Sequence, residues 1–88
     1  MYDVTQIEDF AKQIAALKTK YERIDELYQA IVWYLEKNPT SDEFERLDGN
    51  DFLWRTGRLI DDLFPQLLIL FRVNEQKNEV ILLALREI

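Results

Sequence analysis

Leu67-Leu68-Ile69-Leu70-Phe71-Arg72-Val73, then Asn74-Glu75-Gln76-Lys77-Asn78, then Val80-Ile81-Leu82-Leu83-Ala84-Leu85, is the stretch whose reading decides the fold. Its first and last runs are nearly all apolar, and the segment between them is polar and of hairpin-loop length. Side chains alternate along a strand, so Leu67, Ile69, Phe71 and Val73 share one face, with Leu68, Leu70 and Arg72 on the other. By the same alternation Ile81, Leu83 and Leu85 oppose Val80, Leu82 and Ala84. Strands apolar at both parities are expected to be covered on both faces. Pro65 precedes the first run, at a strand entry where its missing N–H costs no ladder bond.

Upstream, Phe52-Leu53-Trp54-Arg55-Thr56 alternates weakly and reads as a third strand after the turn signal Gly49-Asn50. Thr40 to Asp51 is polar and acidic and reads as a loop. Before it the period changes. Ile24, Leu27, Tyr28, Ile31 and Leu35 recur at helical spacing until Asn38-Pro39, where the residue before proline is pushed out of the helical region. Ile7, Phe10, Ile14, Leu17 and Tyr21 form an earlier stripe, widened by Ala11, that predicts a helix of about four turns. Thr5-Gln6-Ile7-Glu8 has the form of a capping box at its start, and Tyr2 to Val4 reads as a short extended lead. The joint at Tyr21-Glu22-Arg23 is so short that the helices are expected to run antiparallel.

The predicted order is therefore β-α-α-β-β-β in a single domain, 1–88. It is an α+β fold with an N-terminal antiparallel helical hairpin packed on a three- to four-stranded, mainly antiparallel sheet. Two helices cover one sheet face only, so the face of Leu68 and Leu70 is expected to be covered by the 58–65 loop or by a partner.

Composition narrows the chemistry. Cysteine and histidine are both absent, which removes disulfides, thiolate nucleophiles and the usual zinc ligand and general base. Ser41 has no histidine with which to build a triad. Asp61-Asp62 and Asp42-Glu43-Glu45 read as solvated acidic loop rather than as a metal site, so no metal and no cofactor is expected. No apolar run is long enough to span a membrane, and the N-terminus lacks the layout of a secretory signal, which predicts a cytoplasmic protein.

The net charge is −6, unevenly spread: residues 1–50 carry six basic and eleven acidic side chains (−5), and residues 51–88 five and six (−1). An acidic chain repels nucleic acid at long range. Four of the five later cations are Arg55, Arg58, Arg72 and Arg86. Guanidinium groups grip phosphate bidentately, so these four form either a phosphate-binding cluster or scattered surface arginines paired with Glu75, Glu79 or Asp61. Trp33 lies about 180° from the apolar stripe of its helix at 100° per residue, either as a partner-binding anchor or packed under the 40–50 loop or a dimer contact. Trp54 reads as core.

The order and spacing of several pieces resemble the RelE/ParE superfamily of toxins from bacterial toxin–antitoxin pairs. The pieces are Tyr2 to Val4, the Phe10 helix ending Leu17-Lys18-Thr19-Lys20-Tyr21, and Leu35-Glu36-Lys37-Asn38-Pro39. Gly49, Leu53-Trp54-Arg55 and the hairpin from Leu70-Phe71-Arg72-Val73 to Leu85 continue it over essentially the whole chain. The resemblance implies a compact toxin neutralised by a small antitoxin that wraps it. Its implied target is either translation, through messenger RNA on the ribosome, or DNA gyrase.

Family ribonucleases place several cations on the concave sheet face, where they stabilise charge that develops at phosphorus. Of the basic residues, Arg55 matches such a position well, with Arg58, Arg72 and Arg86 near others. A frequent family arginine falls here on Leu68. The expectation is a toxin-like protein that does not cleave RNA. The alternative is a non-catalytic interaction module that dimerises through the face of Leu68 and Leu70.

Overall fold

The computed structural model describes residues 1–56 and 65–88. The hairpin expected at 67–85 is its centre: β4 (Leu67–Asn74) and β5 (Glu79–Glu87) pair antiparallel. Asn78 takes φ 49° in the connecting turn, the left-handed region that asparagine tolerates. Asn74 Oδ1 accepts from the Lys77 N–H at 3.2 Å. The third strand, β3 (Asp51–Arg55), lies antiparallel on the other edge of β4.

The sheet is wider than the expected three to four strands. β2 (Glu45–Arg46) pairs with β3, and β1 (Asp3–Gln6) runs parallel to β5, giving a five-stranded mixed sheet in the order β1-β5-β4-β3-β2. β1 is the extended lead expected at Tyr2 to Val4, shifted to Asp3–Gln6. Only β2 lies beyond the predicted order, a two-residue edge strand with no apolar period to read.

The helices are α1 (Glu8–Lys18) and α2 (Ile24–Lys37). Each has two acidic residues in its first turn and a lysine in its last, which suits the helix dipole. α1 has 11 residues, about three turns rather than four. The capping box does not form. Thr5 lies in β1 opposite Ile81, the N-cap position is Ile7, and no side chain caps the helix. The ladder to β5 wins the contest for this backbone: Gln6 still pairs with Leu82, and the Ile7 N–H donates to the Leu82 carbonyl at 3.1 Å.

α2 buries Ile24, Leu27, Ile31 and Leu35, the stripe expected of it. With Phe10 of α1 these meet Leu67, Ile69, Phe71 and Val73 of β4 and Val80, Leu82 and Leu85 of β5. Each fully buried side chain of this kind is worth about 1.5–3 kcal/mol. Phe44, in the stretch read as polar loop, is also core, with ring contacts to Tyr34, Trp54 and Phe71 at 5.9, 5.0 and 5.2 Å. Trp54 is half-buried against this cluster, in line with its expected core role.

The β5 faces differ from simple alternation. Leu70 pairs with Ala84 but Phe71 with Leu82, so Leu83 is an extra residue in a β-bulge. Beyond it the parity reverses: Leu85 joins Val80 and Leu82 inside, while Ala84 and Arg86 turn to the opposite face. The expected grouping of Leu85 with Ile81, and of Ala84 with Val80, is therefore wrong.

Candidate functional site

Both helices lie on the face of Leu67, Ile69, Phe71 and Val73. The opposite face is laid out by strand register in three rows. Arg55, Leu68 and Arg86 form the first, Leu53, Leu70 and Ala84 the second, and Asp51, Arg72 and Ile81 the third. Leu53, Leu68, Leu70 and Ala84 are half-buried, and with Gln13, Leu85 and Arg86 they line an open groove of about 270 Å³ that reaches the outer edge of β5. The expected cover from the 58–65 loop falls almost wholly outside the described residues.

The four arginines do not act as one set. Arg55 and Arg86 flank Leu68, about 10 Å apart across two strand spacings. Neither has an ion pair or hydrogen bond among the described residues. The β-bulge is what brings Arg86 to this face, since unbroken alternation from Val80 would bury it. Arg72 stands at the far end and is neutralised by Asp51, with Nε to Oδ1 at 2.7 Å and Nη2 to Oδ2 at 3.3 Å. The Arg72 hydrogen bonds hold the Asp51 carboxyl below its ordinary pKa, and Asp51 raises that of Arg72. Asp51 is thus the partner of Arg72, rather than Glu75 or Glu79, and Asp61 lies outside the described residues. Arg58 lies outside the described residues.

Proton-transfer groups are scarce on this face. The chain has four tyrosines, and all turn to the helical side. The Tyr28 hydroxyl donates to Gln6 Oε1 at 2.7 Å, Tyr34 packs edge-on to Phe44 and tilted against Trp54, and the Tyr21 hydroxyl donates to Glu87. Lys20 Nζ meets the same Glu87 carboxylate at 2.9 Å. Among the described residues no group of acidic side chains could hold a metal ion.

Trp33 is 58% exposed, with Lys37 Nζ 5.0 Å from its ring centroid. It is therefore not packed under the 40–50 loop. It borders a second groove of about 250 Å³ lined by Leu27, Ala30, Ile31, Tyr34, Trp54 and Thr56. The amphipathic reading of α2 found Trp33, and the apolar run found Leu68 and Leu70. Ala84 and Leu53 were missed as groove residues, because a bulge and a cross-strand register leave no mark in one strand's sequence.

No protein-family model matches the chain, and no curated protein matches it by sequence. Solved structures do match. A chain of the toxin–antitoxin complex RelBE2 from Mycobacterium tuberculosis aligns with a TM-score of 0.74 and 14% identity, over 99% of this chain and 91% of that one. A chain of the intact Escherichia coli RelBE toxin–antitoxin complex aligns at 0.69 and 15% identity, over 100% and 98%. The metal-bound toxin from Helicobacter pylori aligns at 0.61 and 23% identity, over 99% and 94%. The chain has a RelE-like toxin fold.

Proposed function

We propose that this chain is the toxin-like member of a toxin–antitoxin pair, neutralised in the cytoplasm by a small antitoxin protein, and that it acts without cleaving messenger RNA. The fold shared with chains of two RelBE complexes supports the first part. The second rests on one observation: Leu68 lies between Arg55 and Arg86, at the position where the family resemblance implies an arginine.

Hydrolysis or transfer at phosphorus needs preorganised positive charge and a group to move the proton. Losing one such donor typically costs about 3–4 kcal/mol of barrier, or 10² to 10³ in rate. Leu68 supplies no charge, Arg72 is already paired to Asp51, and the tyrosines turn away. On this reading the target is a protein such as DNA gyrase rather than the ribosomal A site.

The test has two arms. Induction in a bacterial host is expected to arrest growth, with relief when the small protein encoded beside it is co-expressed. The purified chain is expected to leave messenger RNA on programmed ribosomes intact. Site-specific A-site cleavage, abolished by Arg55→Ala, would restore the ribonuclease reading.

A further inference from the structure

Independently of the toxin-like reading, we infer that the exposed seam of α2 is a self-association surface, on which a second copy of this chain lays its own α2 antiparallel. Trp33 of each copy packs over Ala30 of the other, and Glu26 of each meets Lys37 of the other.

The seam is Arg23, Glu26, Ala30, Trp33 and Lys37, with Arg23 at the N-cap position and all five exposed. Their spacing of three, four, three and four residues is that of a coiled-coil contact line. At 100° per residue it runs about 120° around the helix from the buried Ile24–Leu35 stripe, so the core does not use it. Trp33 is 58% exposed, and Ala30, one turn away, lines the apolar groove of about 250 Å³ walled by Leu27, Tyr34 and Trp54. A bulky side chain thus stands beside a small one at the mouth of a groove. A two-fold contact needs this arrangement, because each surface must complement itself.

The charges set the direction. With a two-fold axis midway between positions 31 and 32, Glu26 falls opposite Lys37 and Ala30 opposite Trp33, each pair occurring twice. A parallel arrangement would instead set Arg23 on Arg23, Glu26 on Glu26, Lys37 on Lys37 and tryptophan on tryptophan. Within one chain Arg23 Nη2 donates to Glu26 Oε1 at 2.9 Å, and Lys37 Nζ lies 5.0 Å from the Trp33 ring centroid. Arg23 and Glu26 are on the surface, so the second copy's lysine joins their bridge without stripping water from a buried charge. A uniformly acidic or uniformly basic partner would meet a like charge at one end of the seam. A helix with acid and base in reversed order satisfies both ends, and α2 itself has that order.

From position 26 to 37 the contact runs about 16 Å, and at an interaxial distance of about 8–10 Å it buries roughly 400–500 Å² per copy. That is near half of the roughly 800 Å² per partner of a stable interface, so the pair is weak, with a Kd on the order of 100 µM. The helix-free sheet face stays open in both copies, since α2 lies on the other side of the sheet.

The test is sedimentation of the full chain from about 10 µM to about 1 mM, either side of that Kd. Circular dichroism and urea midpoints check that each variant is folded. The unaltered chain is expected to dimerise in this range, and Trp33→Ser to weaken association about tenfold or more. Glu26→Lys and Lys37→Glu are each expected to weaken it too, because each sets like charges opposite one another. An equimolar mixture of these two variants is expected to pair again, since their charges are complementary across the copies.

Leu70→Lys is expected to leave the dimer intact. A monomer throughout the concentration range, a dimer that Leu70→Lys dissolves and Trp33→Ser does not, or a mixture of the charge variants that stays monomeric would overturn the proposal. Trp33, Glu26 and Lys37 are exposed, so loss of the dimer at an unchanged urea midpoint is loss of the contact rather than of the fold. None of these readouts involves growth arrest or RNA, so failure of the toxin reading leaves this test standing.

Discussion

Gln13 Oε1 accepts a hydrogen bond from the Leu85 N–H at 2.7 Å, joining the middle of α1 to a strand residue 72 positions away. The contact replaces a missing strand. β1 stops pairing with β5 at Gln6–Leu82, and the bulge at Leu83 follows at once. Beyond that point the outer edge of β5 has no strand neighbour among the described residues, and a helix side chain takes the amide that a strand would have taken. Since the bulge turns Ala84 and Arg86 into the groove, Gln13 also helps fix where the groove's cation stands.

Gln13→Ala is therefore expected to destabilise the protein by about 1–2 kcal/mol, the cost of leaving a half-buried N–H unpaired. Urea denaturation measures the change, and amide exchange is expected to accelerate most at Leu85. Unchanged protection at Leu85 would show that the contact is not made in solution.

Thr56 makes a comparable contact at the same end of the sheet, on the β3 side of β4. It is 5% exposed, and its Oγ1 accepts from the Leu67 N–H at 2.8 Å while its own N–H donates to the Leu67 carbonyl at 2.9 Å. Thr56→Val keeps the shape and removes the acceptor, so a loss of about 1–3 kcal/mol is expected, with Thr56→Ser retaining most of the stability. Equal losses in the two variants would point to packing of the methyl group instead.

The central hairpin and α2 were legible in the sequence because their apolar residues are dense enough to show a period. Leu67 to Val73 and the Ile24–Leu35 stripe have one solution each. The edges were less legible: β2 is only Glu45–Arg46, and β1, expected at Tyr2 to Val4, runs on to Gln6 through residues that also carry a capping signal. Phe44 was hidden by its acidic neighbours Asp42, Glu43 and Glu45, since a lone aromatic has no period. The candidate site was half legible. Leu68 and Leu70 follow from parity alone, but the position of Arg86 depends on a bulge, and the neutralisation of Arg72 depends on a cross-strand partner 21 residues earlier.

Thr5 supplies a direct comparison of the capping and strand readings. A capping threonine lost to alanine costs typically about 1 kcal/mol. Here Thr5 is an exposed residue of an edge strand and caps nothing, so Thr5→Ala is expected to change stability by no more than about 0.5 kcal/mol. A larger loss in denaturant midpoint would mean the helix begins at Thr5 in solution.

Phe44 ties the polar 40–50 stretch to the core through Tyr34, Trp54 and Phe71. Phe44→Ala is expected to cost about 3–5 kcal/mol, and Phe44→Leu much less. Tryptophan emission from Trp54, whose ring centroid is 5.0 Å from that of Phe44, reports the repacking directly. A loss below about 1 kcal/mol would place Phe44 among surface aromatics instead.

Acid sensitivity follows from two carboxylates. The hydrogen bond from the Tyr21 hydroxyl, then that from Lys20, holds Glu87 below its ordinary pKa, and the hydrogen bond from Arg72 does the same for Asp51. In the unfolded chain both return to about 4. A carboxyl with a depressed folded pKa binds fewer protons folded than unfolded. Its stabilising share is therefore complete above the unfolded pKa and is lost as pH falls through the folded one. Stability is expected to hold from neutral pH down to about pH 5 and then to decline. Glu87→Gln and Asp51→Asn are expected to lower stability at neutral pH and to shallow this acid limb, converging with the unaltered chain at the lowest pH. The carboxylates are half-buried but their Lys20 and Arg72 partners are exposed, so concentrated salt should narrow the difference. Urea midpoints measured across the acid range check this, and acid limbs of equal slope in Glu87→Gln and the unaltered chain would show that Tyr21 and Lys20 do not hold Glu87 in solution.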